Sequence, residues 1–265
     1  MNSRYTRTVD QACESAFAWA ALYRMLALAF SNPEPELVRS TIRECGTLKI
    51  ALRRGALPAH FTRALNDVDR AWRAATVGGL TVEYSRLFLG TGVVPLREGG
   101  FGDGMRFAGQ PVDIADVSGF YLAFGFALPD SAASPPDHLG AELEFMSLLH
   151  LKTGLALQRG WPDQVRITRS AIAAFLKDHL GRWAASFAAA LAARDAVPPY
   201  RTTGRLLAAT VDADCAAHAV KPMNARPGAG GDPVGGDALV CPFGRPSESV
   251  LGMDDHISAD HRRSP

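Results

Sequence analysis

The sequence predicts an all-α fold: one compact, bundle-like helical domain with a long glycine-rich loop and a disordered C-terminal tail. Apolar residues recur at helical spacing as far as Asp214, and the alternation typical of half-buried strands is almost absent. We expect a flexible N-terminus over 1–14, the helical domain over 15–218, and a mostly disordered Gly/Pro-rich tail over 219–265.

Breaker residues divide the first part of the domain. An apolar face that begins at Trp19 stops at the Ser-Asn-Pro-Glu-Pro cluster of 31–35, and Gly55, Gly79 and Gly90 mark later ends. The sequence therefore predicts four helices here, over 19–30, 36–53, 58–75 and 81–89.

Residues 90–112 contain seven glycines and predict a long loop, a kind of segment that is often functional. Helical spacing then resumes, and we expect four more helices over 112–124, 135–157, 162–194 and 201–217. From Pro222 onward the composition is rich in glycine and proline, which predicts the tail.

Composition excludes several classes of protein. The chain has 265 residues, of which 47% are hydrophobic, so it can bury a sizeable core. Its 28 basic and 27 acidic residues give a net charge of +1, without the basic excess of a general nucleic-acid binder. These values also exclude a wholly disordered chain.

No apolar run reaches the roughly 20 residues that span a bilayer. The N-terminus lacks a secretory pattern, and Arg4 and Arg7 are not a twin-arginine pair. The four cysteines are far apart, with no CxxC spacing. We therefore expect a cytoplasmic protein with reduced thiols and no membrane insertion.

The segment 134–157 carries most of the functional information. Ser134 and Pro135 fit the start of a helix, with Asp137 completing a capping box. The helix is apolar nearly all round, which predicts burial, yet it contains Glu142 and Glu144. One interpretation is that these are structural buried acids that pair with arginines of neighbouring helices. Another is that Asp137 and His138, at an exposed helix start, bind a peptide or cofactor.

Residues 135–146, P-P-D-H-L-G-A-E-L-E-F-M, resemble the signature of the TorD/DmsD/NarJ family of molybdoenzyme maturation chaperones, also described as nitrate reductase delta-like. Other motifs follow in the family's order: EYSRLFLG at 83–90, VSGFYLAFGF at 117–126 and F-x-x-x-H-L-x-x-W at 175–183. The resemblance spans 15–215. The segment 112–126, VDIADVSGFYLAFGF, looks most like the branch that serves type II dimethyl sulfoxide reductase-family enzymes.

The resemblance implies an all-helical, cytoplasmic chaperone that is not an enzyme. Its implied partner is the apo catalytic subunit of a molybdoenzyme, bound through its twin-arginine leader peptide, its body or both. The implied role is to assist insertion of molybdopterin guanine dinucleotide and to hold back export until assembly is complete. No cofactor is expected to bind the chaperone stably, and weak GTP binding has been proposed within the family.

We predict that apolar and aromatic residues join the start of the 134–157 helix in a groove for an amphipathic leader peptide. The predicted partner-binding residues are Tyr23, Tyr84, Phe88, Tyr121, Pro135, Asp137 and His138.

Four alternatives stay open. One is an accessory structural subunit retained in a mature complex, and another is an enzyme whose site the sequence does not reveal. A nucleotide site is weakly indicated, because the glycine-rich residues 99–104 lack the GK[ST] of a phosphate-binding loop. A metal site is also weakly indicated, because His138 and Glu142 provide only two ligands and Cys215, His218 and Cys241 would meet only if the tail folds back.

Overall fold

The computed structural model describes residues 2–90, 92–101, 110–128 and 135–222. Their secondary structure is helical apart from turns and one isolated bridge between Arg97 and His138, so the predicted all-α fold is confirmed. Within these ranges the helices are α1 Asn2–Ala29, α2 Pro35–Arg53, α3 Phe61–Ala74, α4 Val77–Phe88, α5 Gln110–Ala123, α6 Leu139–Gln158, α7 Pro162–Asp178, α8 Leu180–Ala193 and α9 Pro198–Ala217. A short 3₁₀ turn covers Glu98–Gly100.

Most of the predicted tail and the centre of the predicted glycine-rich loop lie outside the described residues. The chain divides into two units, Met1–Gly230 and Gly231–Pro265, and all the helices named above belong to the first. The expected disorder of the tail therefore stays a prediction, as do the domain limits.

Helix α1 occupies the centre of the helical unit. It packs along α6 over the most extensive helix contact and also contacts α2 and α9. Helix α3 packs on α2 and α9, and α7 and α8 complete the arrangement against α6 and α9. The helices enclose a core rich in aromatic side chains, of which the largest fully buried are Trp72, Trp183, Tyr23, Tyr200, Phe30, Phe61, Phe145, Phe175 and Phe187.

The first helix is longer than the sequence pattern indicated. Helix α1 begins at Asn2, so the segment expected to be flexible before residue 15 is helical in the structure. No glycine or proline interrupts it, and the Cys13 thiol donates to the carbonyl oxygen of Gly154 at 3.3 Å. The residues before position 15 are largely polar, so the apolar spacing that identifies the helix from Trp19 onward is missing there.

Two other helix boundaries differ from the prediction. Helix α4 begins at Val77, where Thr76 Oγ1 accepts from the Gly79 amide at 3.2 Å, so Gly79 lies in its first turn and does not close α3. The single helix expected over 162–194 breaks at His179, whose φ of −130° and ψ of −101° are not helical. The break depends on tertiary contacts of His179, which no local pattern encodes.

The break at His179 makes Gly181 sterically restricted. A Cβ at Gly181 would collide with the carbonyl oxygen of Leu176 and would lie 2.8 Å from the ring of Pro222. We expect Gly181→Ala to lower the free energy of unfolding by about 1–3 kcal/mol, because a backbone atom must move. The matched control is Gly46→Ala in α2, where a Cβ meets no atom within 4 Å.

The control variant Gly46→Ala should raise the free energy of unfolding, whereas Gly181→Ala should lower it. Alanine inside an unobstructed helix is more stable than glycine by about 0.5–1 kcal/mol. Urea unfolding of both variants measures the two effects. Equal changes at the two positions would show that the contact between Gly181 and Leu176 does not restrict the chain.

The described cysteines are Cys13, Cys45 and Cys215, and all three are free thiols. Burial raises the pKa of Cys45 to about 12 and that of Cys215 to about 11, which keeps both protonated at neutral pH. Among the described residues, no helix combines the length and the hydropathy needed to span a bilayer.

Candidate functional site

The start of α6 differs from the sequence-based prediction. The helix begins at Leu139, and His138 is its N-cap, with Nδ1 accepting from the Gly140 amide at 3.1 Å. The prediction that Pro135 and Asp137 lie in the first turn is wrong, and Ser134 is outside the described residues. Burial lowers the pKa of His138, and this favours the neutral ring that the capping bond requires.

Asp137 is held by the segment that follows α4. The Arg97 guanidinium donates to Asp137, with Nε 3.1 Å from Oδ1 and Nη2 also 3.1 Å from Oδ1. The backbone adds two bonds, from the Glu98 amide to the Asp137 carbonyl at 3.0 Å and from the Leu139 amide to the Leu96 carbonyl at 2.9 Å. Asp137 is buried, so its predicted position at an exposed helix start is wrong.

Glu142 and Glu144 lie in different environments. Glu142 is fully buried, and its Oε2 accepts from the Trp183 indole at 3.1 Å instead of from an arginine. Burial, followed by the charge of Glu98, raises the pKa of Glu142 well above its usual value. Glu144 is exposed, so the expectation that it is a buried acid is wrong. Partial desolvation still raises the pKa of Glu144, against the opposing charge of Arg24.

Tyr121 is a structural residue of the α5–α6 connection. Its side chain is buried, and its hydroxyl donates to the carbonyl oxygen of Pro136 at 2.8 Å. The ring packs against Phe145, with centroids 4.9 Å apart. Burial, and next the charge of Glu142, raises its pKa, so the hydroxyl is a donor throughout the physiological range.

Tyr23 belongs to a second buried polar group, which sequence reasoning missed. Its hydroxyl donates to Asp214 Oδ2 at 2.8 Å, and His150 Nε2 lies 2.9 Å from the same oxygen. His218 Nδ1 lies 3.1 Å from Asp214 Oδ1, and the His150 ring lies nearly parallel to the rings of Tyr23 and Trp19, with centroids 5.4 and 5.7 Å away. The group joins α1, α6 and α9. The sequence analysis placed Tyr23 in a partner-binding groove, because its buried partners lie on helices distant in sequence.

Tyr84 and Phe88 lie at the junction of α4 and α9. Tyr84 is buried, and Phe88 is half-buried with its ring 5.5 Å from Tyr200. On the same helix, Glu83 accepts from Arg86 and from the Val197 amide at 3.0 Å. These contacts explain the EYSRLF pattern as packing and pairing.

The predicted partner-binding residues therefore do not form one exposed groove. Tyr23, Tyr84, Tyr121 and Asp137 are all buried in this conformation, and their expected place at the surface is corrected. The residues with accessible area are Phe88, Pro135 and His138, each half-buried, and a role for them in partner binding stays a prediction.

An exposed apolar surface lies beside Phe88. Val82 lies on α4 with an exposed fraction of 72%, and Leu89, at 50%, is the C-cap residue that follows the helix. Val93, at 40%, lies in the next segment, where the chain folds back and the Val94 amide donates to the Leu87 carbonyl at 2.9 Å. We call Val82, Leu89 and Val93 the α4 surface. Exposed apolar groups of this kind are typical of contacts with other proteins.

The two residues of the predicted metal pair are engaged in other contacts. Within the described ranges, no three His, Cys, Asp or Glu side chains converge closely enough to hold a metal ion. His138 caps a helix and Glu142 binds Trp183, so both side chains are already engaged. Gly102, Gly104 and Cys241, which entered the alternative nucleotide and metal sites, are outside the described residues.

Comparison with known proteins gives one family. The model for the family described as nitrate reductase delta subunit matches residues 54–189, just over half of the chain. No curated protein matches the sequence. Among solved structures, a protein from Archaeoglobus fulgidus assigned as a redox enzyme maturation protein aligns at 17% identity with a TM-score of 0.48. The alignment covers 73% of this chain and 93% of that one.

Proposed function

The chain belongs to the nitrate reductase delta subunit family, and on this premise we propose that it is a cytoplasmic chaperone for a molybdenum oxidoreductase. It binds the catalytic subunit before the cofactor is present, assists insertion of molybdopterin guanine dinucleotide, and holds back twin-arginine export until assembly is complete. The family is one of maturation chaperones and not of catalysts, and this membership is the observation that carries the proposal.

The structure supports the proposal by what it leaves exposed. Two acidic residues of the signature, Asp137 and Glu142, are engaged inside the protein. Within the α4 surface, Val82 lies on the helix that carries most of the EYSRLFLG motif, and Leu89 directly follows Phe88. We propose that the client's catalytic subunit binds here through an apolar segment, such as the amphipathic part of its leader peptide.

Charge placed on the α4 surface should weaken client binding. We expect Val82→Asp combined with Leu89→Asp to reduce capture of the host's molybdoenzyme catalytic subunit by at least about tenfold, because a buried interface rejects unpaired carboxylates. The measurement is affinity capture with the tagged full chain, quantified by mass spectrometry. The matched control is Ile167→Asp on α7, where Ile167 has a similar exposed fraction of 49%.

Both sets of substitutions are at exposed positions, so the fold should persist in each. Capture should fall only in the α4 variant. Equal capture by the α4 variant and the wild-type chain would eliminate the α4 surface as the client site. Failure of the wild-type chain to capture any molybdoenzyme subunit would reject the proposed function itself.

A further inference from the structure

An exposed apolar stripe runs along one side of α6. Leu148, Leu151 and Leu155 are separated by three and four residues, which places them on one face of the helix. Glu144 lies one turn before them on the same face and is exposed. Leu151 and Leu155 are 41% and 37% exposed, and Leu148 is half-buried. Neighbouring apolar side chains with this much exposed area are typical of contacts between proteins.

Helix α1 widens this stripe, because it packs antiparallel to α6. The Cys13 thiol donates to the Gly154 carbonyl, and the Ser147 hydroxyl donates to the Ala20 carbonyl at 2.8 Å. The Phe17 ring lies against Gly154. Six α1 residues recur at helical spacing on the face beside the stripe, and none of them is buried: Asp10, Glu14, Phe17, Ala21, Arg24 and Leu28. We call these six and the four residues of the α6 stripe the α1–α6 surface.

The two ends of α6 carry opposite charges at equal distances from Leu151. Glu144 precedes Leu151 by seven residues, and Arg159 follows it by eight. With a rise of about 1.5 Å per residue, each charge lies about 10–12 Å along the helix from Leu151. The Arg159 guanidinium lies over the exposed Trp161 ring, 4.9 Å from the ring centroid. The α6 half of the surface is therefore acidic at one end and basic at the other.

The α1 half has the same arrangement about Phe17. Asp10 precedes Phe17 by seven residues, and Arg24 follows it by seven. The antiparallel register places Phe17 at the level of Leu151, and the Arg24 charge acts on Glu144. Within the described part of the chain, no oppositely charged side chain lies within 4 Å of Asp10, Arg24 or Glu144. The charges of both helices therefore reverse about one point and are free to pair with another molecule.

We propose that the α1–α6 surface binds a second copy of this chain about a twofold axis that passes between Phe17 and Leu151. A surface whose charges reverse about its centre is complementary to itself after a twofold rotation. In this dimer each α6 lies antiparallel to α6 of the partner subunit, and each α1 lies antiparallel to α1 of the partner subunit. Leu151 then meets its own counterpart on the axis.

The same rotation pairs the charges at both ends. Glu144 faces Arg159 of the partner subunit, and Arg24 faces Asp10 of the partner subunit. The exposed leucines between them are covered, and four helices pack together as in an antiparallel bundle. Each contact occurs twice, because the two copies use the same surface. The dimer uses no residue of the α4 surface and goes beyond the proposed client binding.

Sedimentation of the purified full chain tests the proposal. We expect the wild-type chain to sediment with twice the mass of one chain and to dissociate on dilution. Leu151→Asp should raise the dissociation constant of the dimer by at least about tenfold, because two unpaired carboxylates would meet on the axis. The matched control is Ile50→Asp on α2, since Ile50 has a similar exposed fraction of 45% and lies outside the α1–α6 surface. The control should dimerise as the wild type does.

A wild-type chain that is monomeric at every concentration would overturn the proposal and would leave the surface to another partner, such as the client. A dimer that Leu151→Asp does not weaken would overturn it too. No client is present in this measurement, so either result leaves the proposed function standing.

Cross-linking tests the position of the axis separately. Leu151→Cys places two thiols on the axis, within the reach of a disulfide bond. With an added mild oxidant, we expect a covalent dimer in higher yield than from the wild-type chain, whose Cys13 is half-buried. Ile50→Cys is the matched control and should give only the wild-type yield. A yield from Leu151→Cys no higher than from Ile50→Cys would overturn the proposed dimer.

Discussion

Replacing Asp214 with alanine should lower the free energy of unfolding by about 3–5 kcal/mol, since it leaves the polar groups around a buried carboxylate without their partner. Asp214 is 1% exposed and accepts from Tyr23 at 2.8 Å. His150 Nε2 lies 2.9 Å away, and His218 faces the other oxygen. One residue of α9 thereby connects to α1 and α6, and its loss removes these polar contacts between the three helices.

The loss of unfolding free energy in Asp214→Ala should depend on pH. Burial alone would raise the pKa of Asp214, but the charge and hydrogen bond of His150, followed by those of His218, hold it well below its usual range. A carboxyl whose folded pKa is depressed contributes stability above its unfolded pKa of about 3.9, and loses that contribution as the pH falls. The difference between wild type and Asp214→Ala should therefore narrow below about pH 4.

Urea unfolding at neutral and acidic pH measures both effects. Asp212→Ala is the matched control, because Asp212 lies two residues away on the exposed side of α9. It should change stability by less than about 0.5 kcal/mol. If the two variants lose the same stability, the polar group around Asp214 does not hold the helices together.

Phe145→Ala should lower the free energy of unfolding by a comparable amount, about 3–5 kcal/mol, because it leaves a cavity in the middle of an aromatic cluster. Phe145 is fully buried, and its ring contacts those of five others: Phe120, Tyr121, Phe124, Phe126 and Phe175. These residues belong to α5, α6, α7 and the turn after α5. The cluster therefore sets how α5 packs on the rest of the protein.

Phe124→Ala is the control for Phe145→Ala, because Phe124 is half-buried and contacts the cluster at its edge. We expect Phe124→Ala to lower the free energy of unfolding by less than half as much as Phe145→Ala does. Urea unfolding gives both values, and near-UV circular dichroism reports the loss of aromatic packing. Equal losses would mean that Phe145 is not the centre of the cluster.

The fold class was predictable because helices of this chain carry regular apolar faces ended by proline and glycine. The limit of this reasoning is visible on α6, which is apolar nearly all round. A helical wheel does not say which face is buried. Leu151 and Leu155 are 41% and 37% exposed, and Glu144 lies on their side of the helix and is exposed with them.

The site was less predictable, because its contacts join residues that are distant in sequence. The local sequence predicts that Asp137 caps a helix, but in the structure Asp137 accepts from Arg97, forty residues earlier. The local sequence predicts that His179 is helical, but in the structure its two ring nitrogens contact Glu98 and Asp116. In each case a tertiary polar contact overrides the local preference of the chain. The signature motif predicted where the polar groups gather but not their pairing.

In the proposed function, the protein binds the catalytic subunit of a molybdoenzyme only before its cofactor is inserted. Affinity capture by the tagged full chain from two host strains, one able and one unable to make molybdopterin, tests this. We expect a complex with the catalytic subunit that accumulates in the strain without cofactor and is lost when the subunit is loaded. Copurification with the loaded, assembled enzyme would contradict it and would identify the protein as a retained accessory subunit.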